Sequence, residues 1–313
     1  MHDIESEAEA RSLSDGDFYR HLVARNRGLV SEESQQAIAS TKLLVAGCGS
    51  IGGASVEPLA RIGFRDFHLA DIGVFELNNL NRQRAHLNDL GRNKASVAGR
   101  TIEAINPHAT VTVTTEGITK ENVDALVRYA DIIVDGVDVT TPSGLVAKVA
   151  LHEAALAHRR PLVTGWDLAG VLCAEYIDYR VVDRIFNGAI TSGDLETLSV
   201  WEAIVRIAPM SKMPGEMLDE LARNLRDPLY SVPQLPEAAW QFGSLACHIV
   251  AQVAAGNTVP TRTCVDVHAL TQPRWQRARN QLQLPLQFVR FGLALGLRST
   301  LRATAPRPLL AFL

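Results

Sequence analysis

The segment Gly47-Cys48-Gly49-Ser50-Ile51-Gly52 narrows what this chain can fold into more than any other. A short unbroken apolar run, Lys42–Ala46, leads straight into it, and a helical pattern follows through Ile62. The run reads as a buried parallel strand. In that setting each glycine has a task. Gly47 permits the tight turn, Gly49 lets a phosphate approach the backbone, and Gly52 lets the helix pack close to the strand. The helix N-terminus, entered through Ser50 and Ile51, presents free N–H groups and a positive dipole end to an anion. A second strand, Asp66–Ala70, ends at Asp71, where an acid can bind ribose hydroxyls. Together these elements predict a nucleotide-binding fold and leave open whether NAD or ATP sits there.

The alternation continues along the chain. Helical patterns cover Lys94–Ile105 and residues 121–129, 145–157 and 243–255, and strand-like runs cover residues 110–115, 131–135 and 161–165. Strands alternating with helices imply an α/β, Rossmann-like, mostly parallel sheet with helices on both faces. Residues 172–180 are expected to begin an antiparallel extension.

Residues 1–40 read as an N-terminal helical segment. Residues 1–16 form a polar lead-in, and residues 17–40 form a helix with an apolar stripe of Phe18, Leu22 and Val23. The nucleotide-binding domain is expected over residues 41–270, with a less regular insertion at 181–240 over the sheet edge. Residues 271–313 form a basic, apolar tail. After Asp266 every charged side chain is an arginine: Arg274, Arg277, Arg279, Arg290, Arg298, Arg302 and Arg307. The tail reads in two ways. One is a basic amphipathic helix touching a membrane or an acidic partner; the preferred one is a helix packed on the domain or across a dimer.

Composition removes some classes. The formal net charge is -3, which argues against a nucleic-acid partner. No segment reaches the roughly 18 apolar residues of a membrane span, and the acidic N-terminus does not read as a signal peptide. Cys48, Cys173, Cys247 and Cys264 form no C-x-x-C pair, so the usual zinc and redox spacings are absent. Few, scattered cysteines fit a reducing, cytoplasmic setting.

The residues after Asp71 separate ATP from NAD. They read Asn78-Asn79-Leu80-Asn81-Arg82-Gln83 and then Leu90-Gly91-Arg92-Asn93-Lys94; later come Asp135-Gly136-Val137-Asp138 and Gly243-Ser244-Leu245. Upstream stands Asn26-Arg27. This order of motifs resembles the ThiF/MoeB/HesA family, relatives of the adenylation domains of ubiquitin-activating enzymes. The likeness covers about residues 20–180 and resumes at Gly243. It implies an ATP-dependent adenylyltransferase that activates a carboxylate as an acyl-adenylate and releases pyrophosphate. It also implies that Arg27 reaches the phosphates of the other subunit's site, which requires a homodimer.

The chemistry of these residues agrees with that assignment. A carboxylate attacking the α-phosphate builds negative charge on the phosphates, so cations belong there. Arg82 and Lys94 are the local candidates. Asn79 and Gln83 can donate hydrogen bonds to phosphate or position the substrate carboxylate. Mg²⁺ takes few protein carboxylates and several phosphate oxygens, and Asp138, at a strand end, is the natural ligand.

The chain also departs from the family. The asparagine usual after Asp138, and an arginine a few residues on, are replaced by Val139-Thr140-Thr141-Pro142-Ser143. This bears on adenine and substrate contacts. Lys148 either substitutes for the lost cation or lies on a helix surface. Residues 174–246 hold no cysteine, while Cys173 and Cys247 fall in apolar elements as core residues and the side chain of Cys48 matters little in its loop. Adenylation is therefore expected without an enzyme thioester, on a peptide or small carrier protein C-terminus or a specialised-metabolite acid. Two other readings stand beside it: an NAD-dependent oxidoreductase, and a non-catalytic scaffold that binds a peptide or partner. Trp166, Asp167, Trp201 and Trp240 could line a substrate pocket.

Overall fold

The computed structural model describes residues 4–225, 227 and 230–296. Three short helices come first: α1 (Glu7–Ser12), α2 (Asp15–Leu22) and α3 (Glu32–Ser40). Each begins at a serine, Ser6, Ser14 or Ser31, whose side chain accepts a backbone N–H of the first turn. The single helix expected over 17–40 is therefore broken. Gly28 takes a left-handed φ of 89° between α2 and α3, a conformation that glycine adopts without steric cost.

The sheet follows: β1 (Lys42–Ala46), α4 (Gly52–Ile62), β2 (Asp66–Ala70), α5 (Lys94–Ile105), β3 (Thr110–Thr114), α6 (Val123–Tyr129), β4 (Ile132–Asp135), α7 (Pro142–Ala157) and β5 (Pro161–Leu168). Then come β6 (Val171–Asp178), α8 (Val200–Ile207), α9 (Gly215–Asn224), α10 (Pro236–Ala254), β7 (Arg262–Asp266), α11 (Val267–Thr271) and α12 (Arg274–Leu295). The strand order is β3-β2-β1-β4-β5-β6-β7. The first five are parallel, while β6 and β7 each run antiparallel to the strand before.

Alternation along β1 explains the layers. Leu43 and Val45 face one way, into a core with Val56 and Leu59 of α4, Ile102 of α5 and Phe242 of α10. Leu44 and Ala46 face the other, into a core shared with Val127 of α6, Val149 of α7 and Leu218 of α9. Helices on both faces of a twisted parallel sheet follow. The chain reverses direction across the sheet between β1 and β4, and ligands of such folds bind outside the strand ends at that switch point.

Residues 181–236 are more regular than the sequence suggests. They supply α8 and α9, and α8 carries a capping box of Ser199 and Glu202. The C-terminal α12 packs against α9, burying Phe288 and Phe291, with Arg290 paired to Asp219. The packed reading thus holds for the described part of the tail; residues 297–313 lie outside the described residues. Among the described residues no helix is long and apolar enough to cross a membrane.

The cysteines require a correction. Cys173 of β6 and Cys264 of β7 stand opposite each other in register and form a disulfide. Strand pairing brings together two residues 91 positions apart, which spacing alone does not disclose. Cys48 is also more constrained than expected: its side chain is buried in the core beneath the glycine loop, with Sγ directed at the Val45 carbonyl.

Candidate functional site

The glycine loop sits at the switch point, where its backbone is interlocked with that of the neighbouring strand end. A Cβ on Gly47 would overlap Gly136, the residue that follows β4, and one on Gly136 would overlap the Gly52 nitrogen. The loop therefore closes on β4 only because all three side chains are hydrogen. Asp71 fixes the other flank: Oδ2 accepts the Cys48 N–H at 2.6 Å and Oδ1 accepts the Gly73 N–H at 2.6 Å. An ionised carboxylate has about four lone-pair sites, so Asp71 keeps acceptor capacity beyond this bracing.

From Asp71 the chain makes a long excursion and returns to Lys94. Asn93 closes it by donating to the Asp71 carbonyl at 2.7 Å, and the Lys94 N–H donates to the Gly73 carbonyl at 2.9 Å. Asn93 also caps α5, accepting from the Ser96 N–H. Within the excursion Asn79 is buried and pins its own turn by accepting the Glu76 N–H. Gln83 is buried too, and its Oε1 has no hydrogen-bond partner among the described residues. Trp240 of α10 donates to the Arg82 carbonyl at 3.0 Å, tying the excursion to the helix below.

The cations differ in their partners. Arg84 pairs with Glu57 and Arg100 with Asp89, whereas Arg82 and Lys94 form no ion pair among the described residues. The Arg82 guanidinium holds to Asn78 and Asn81 through Nη1, and its Nε is buried without a partner among the described residues. Burial lowers its pKa from the usual arginine value, opposed by the nearby charges of Asp167 and Asp138.

At the end of β4 the two aspartates of the Asp135–Asp138 turn part company. Asp138 is exposed, and its carboxylate accepts the Thr140 N–H and hydroxyl. The substituted residues that follow have a local logic: Thr141 caps α7 through the Gly144 N–H, and Pro142 occupies its first turn. Asp135 is fully buried. Lys148 of α7 contacts it through Nζ and also reaches Thr164, and His152 lies 3.0 Å from it and 2.6 Å from the Tyr179 hydroxyl. Burial by itself would raise the Asp135 carboxyl, but Lys148 and His152 hold it below the usual carboxylate range. Burial keeps the His152 pKa low, so His152 is neutral near pH 7. Lys148 is thus neither a surface residue nor a free cation; its charge is already matched.

A cavity of about 650 Å³ opens over the C-terminal ends of β1, β2, β4 and β5. It lies within the roughly 300–1,000 Å³ usual for small-molecule sites. Gly47, Gly49, Ser50 and Ile51 line it beside Asp71, and the Ser50 hydroxyl is buried without a partner among the described residues. Asn79, Arg82, Gln83 and Lys94 line it from the excursion, and Asp138 from the β4 turn. Gly52 does not; it serves packing. Arg27 does not either: it is exposed on the stretch between α2 and α3, where neighbouring Asn26 caps α4 by donating to the Ile62 carbonyl.

Sequence reasoning weighed Trp166, Asp167 and Trp201 only as aromatic or acidic neighbours of a pocket, and all three line this cavity. Trp240 is half-exposed and lies outside it. Glu116–Thr119, after β3, also border the cavity and carry no motif that would have singled them out. Asp138 is an exposed carboxylate at the end of β4 with acceptor capacity left after its turn is made, which fits a cation shared with phosphate oxygens; Glu116 is a second exposed carboxylate on the cavity.

Comparison with known proteins bears on this geometry. Residues 23–173 match the model of the ThiF family. An uncharacterized protein of Mycobacterium tuberculosis, MT1398, is 29% identical over 258 residues, covering 78% of this chain and 34% of its own. The sulfur carrier protein ThiS adenylyltransferase of Bacillus subtilis is 30% identical over 139 residues, covering 44% of this chain and 40% of its own. Among solved structures, the E. coli tRNA N6-threonylcarbamoyladenosine dehydratase in complex with AMP aligns with a TM-score of 0.54 at 21% identity, covering 78% of this chain and 98% of that one; this likeness is one of fold. The chain spans about a third to a half of the length of the curated relatives it matches.

Proposed function

Taking as premise that residues 23–173 are a ThiF-family domain, we propose that the chain is an ATP-dependent adenylyltransferase that activates a carboxylate as its acyl-adenylate. The observation that carries this reading is the pair of cations, Arg82 and Lys94, left without ion pairs among the described residues on the same cavity as an interlocked glycine loop.

In this reading the ribose lies toward Asp71 and the phosphates cross the glycine loop, where Gly49, Ser50 and Ile51 offer backbone and hydroxyl donors. A substrate carboxylate oxygen attacks the α-phosphorus, the bond from that phosphorus to the bridging oxygen of the β-phosphate breaks, and pyrophosphate leaves with the electron pair. Arg82 and Lys94 offset the charge that grows on the phosphate oxygens, while Asn79 and Gln83 orient the carboxylate. Asp138 would hold Mg²⁺ from the protein side, and the ion would supply neutralisation of phosphate charge. Asp71, Asn79 and Asp138 are each held by the backbone of their own turn, which limits the reorganisation needed at those positions.

No cysteine lies between residues 174 and 246, so the adenylate is passed to an outside nucleophile or partner enzyme rather than to an enzyme thiol. The substrate class is a carboxylate at the end of a peptide or small carrier protein, or a specialised-metabolite acid. The exposed Arg27 is suited to completing the site of a second copy, which makes the working form a homodimer. Its setting is the cytoplasm, and the thiol state of Cys173 and Cys264 in cells is the check on that placement. An NAD-dependent reading leaves Arg82 and Gln83 without a task.

Two measurements test the proposal. Mg-ATP should stabilise the protein against heat by roughly 2.7 kcal/mol at 100 times its Kd, and NAD should not. Pyrophosphate exchange into ATP should appear with an acceptable acid and fall roughly 100-fold or more in Arg82→Ala. Stabilisation by NAD in place of Mg-ATP would overturn the reading, and Mg-ATP binding without exchange by any acid would favour the scaffold.

A further inference from the structure

The cavity has two chemically different ends. The glycine loop, Asp71 and Lys94 make one end polar. The other is walled by Trp166 of β5, Trp201 and Ile204 of α8, Met213, and Met217 and Leu221 of α9. This apolar wall is built largely from the segment between β6 and α10, which closes over the sheet edge.

Arg82 and Asp167 line this same cavity and lie within reach of each other's charge. Arg82 is near enough to both Asp138 and Asp167 to feel their charge, yet ion-pairs with neither. Asp167 points its carboxylate into a dry place: both oxygens are shut off from solvent, and neither has a hydrogen-bond partner among the described residues. Burial pushes this carboxyl up to about 7, with Arg82 opposing the shift and Glu237 adding to it. A buried carboxylate with no donor is costly, so the site gains when a ligand brings one.

The requirements of the three parts converge. The adenylation reading already places a carboxylate on Asn79 and Gln83, next to Arg82; Asp167, within charge reach of Arg82, calls for an N–H donor, and the wall beyond calls for an apolar group. One chemical unit presents all three from a single carbon: an α-amino-acid residue with a free carboxylate and a bulky apolar side chain.

We propose that the cavity selects a carboxylate of this kind, with its N–H on Asp167 and its side chain against Trp166, Trp201 and Met217, in preference to a glycine-ended tail. The inference rests on the adenylation reading and names the substrate class of that same site. An amide N–H at a peptide C-terminus and the ammonium of a free amino acid share this chemistry. Asp167 is a specificity-determining residue in this account, and it takes no part in the transfer itself.

The test is pyrophosphate exchange by the full chain with N-acetylated tetrapeptides ending in Leu, Phe, Gly or Asp, and with free leucine and phenylalanine. Mg-ATP affinity is measured first by calorimetry. Leu- or Phe-ended acids should exceed the glycine-ended peptide by roughly 100-fold in kcat/KM, since each buried methylene contributes about tenfold or more. Exchange with the peptides alone, or with the free amino acids as well, supports the proposal and identifies the source. Asp167→Ala should raise KM for the preferred acid roughly tenfold or more while leaving the Mg-ATP Kd within about twofold. Asp167→Asn, which keeps the side-chain shape, should give a smaller rise and so guards against a folding artefact. Equal or better exchange with the glycine-ended peptide overturns the inference and leaves adenylation standing. So does an unchanged KM in Asp167→Ala. Exchange with none of these acids in a protein that binds Mg-ATP also overturns it, whereas failure to bind Mg-ATP removes the adenylation reading and this inference together.

Discussion

A methyl group placed on Gly52 would run into the carbonyl oxygen of Gly47, so the first turn of α4 and the end of β1 meet backbone to backbone. The same is not true of Gly49, where an added Cβ would meet only the Gln83 side chain, at 3.7–3.8 Å. The two glycines therefore separate packing from ligand access. Gly52→Ala should lower stability by about 3 kcal/mol or more, because the obstacle is backbone that cannot step aside. Gly49→Ala should leave the melting temperature near that of the parent and weaken Mg-ATP binding by crowding the phosphates. Thermal melts and calorimetry on the two variants check this, and a Gly49→Ala protein that binds Mg-ATP normally would argue against phosphates crossing that residue.

The buried Asp135–Lys148 pair should prove structural. Lys148→Met leaves the buried Asp135 charge with a neutral His152 and the Val137 N–H but without its cation, a loss on the order of 3–5 kcal/mol for a buried pair broken on one side. Adding Asp135→Asn to Lys148→Met should recover part of that loss, since no buried charge then remains. Urea titrations of the single and double variants measure it. A Lys148→Met protein as stable as the parent would return Lys148 to the list of candidate phosphate ligands.

Asp167 gives a pH dependence whose sign can be worked out. Its folded pKa, about 7, lies above the ordinary value of 3.8, so the folded chain binds the proton more tightly than the unfolded chain. The contribution is fully present below the ordinary value and is lost as pH rises toward and through about 7. Asp167→Asn cannot ionise. Its melting temperature should therefore gain on that of the parent as pH rises from 4 to 8 and then level off. A gap that does not change with pH would mean that Asp167 ionises like an ordinary surface carboxylate.

The Cys173–Cys264 disulfide closes a loop of 91 residues that includes α8, α9 and α10. In the chain-entropy account such a link adds about 4.6 kcal/mol. Reduction should lower the melting temperature, and alkylation of the denatured, unreduced protein should modify Cys48 and Cys247 only. Four modified thiols in protein taken directly from cells would show the bond to be absent there.

The elements nearest the glycine loop were legible in the sequence because local rules govern them. The strand Lys42–Ala46 and the strand Asp66–Ala70 are each a short run of strand formers bounded by a turn, and both occur with those bounds. Asn79, Arg82, Gln83 and Lys94 lie within sixteen consecutive residues that a single excursion folds onto the loop, so their spacing carried the signal. The strand β7 was missed, because Arg262–Asp266 has no strong pattern and forms only where β6 offers an open edge.

What the sequence determined by itself is the alternation of strands and helices that implies a mostly parallel sheet, the glycine turn and the polar residues of the cavity, which follow from local pattern or from backbone geometry that only glycine permits. Tertiary structure decided the rest. It buried Lys148 against Asp135, joined Cys173 to Cys264, and brought Met213 and Met217 over Trp166. It also left the Asp167 carboxylate shut off from solvent and without a partner among the described residues. Each of these depends on segments tens of residues apart meeting in space, where burial, rather than residue type, sets what a side chain does.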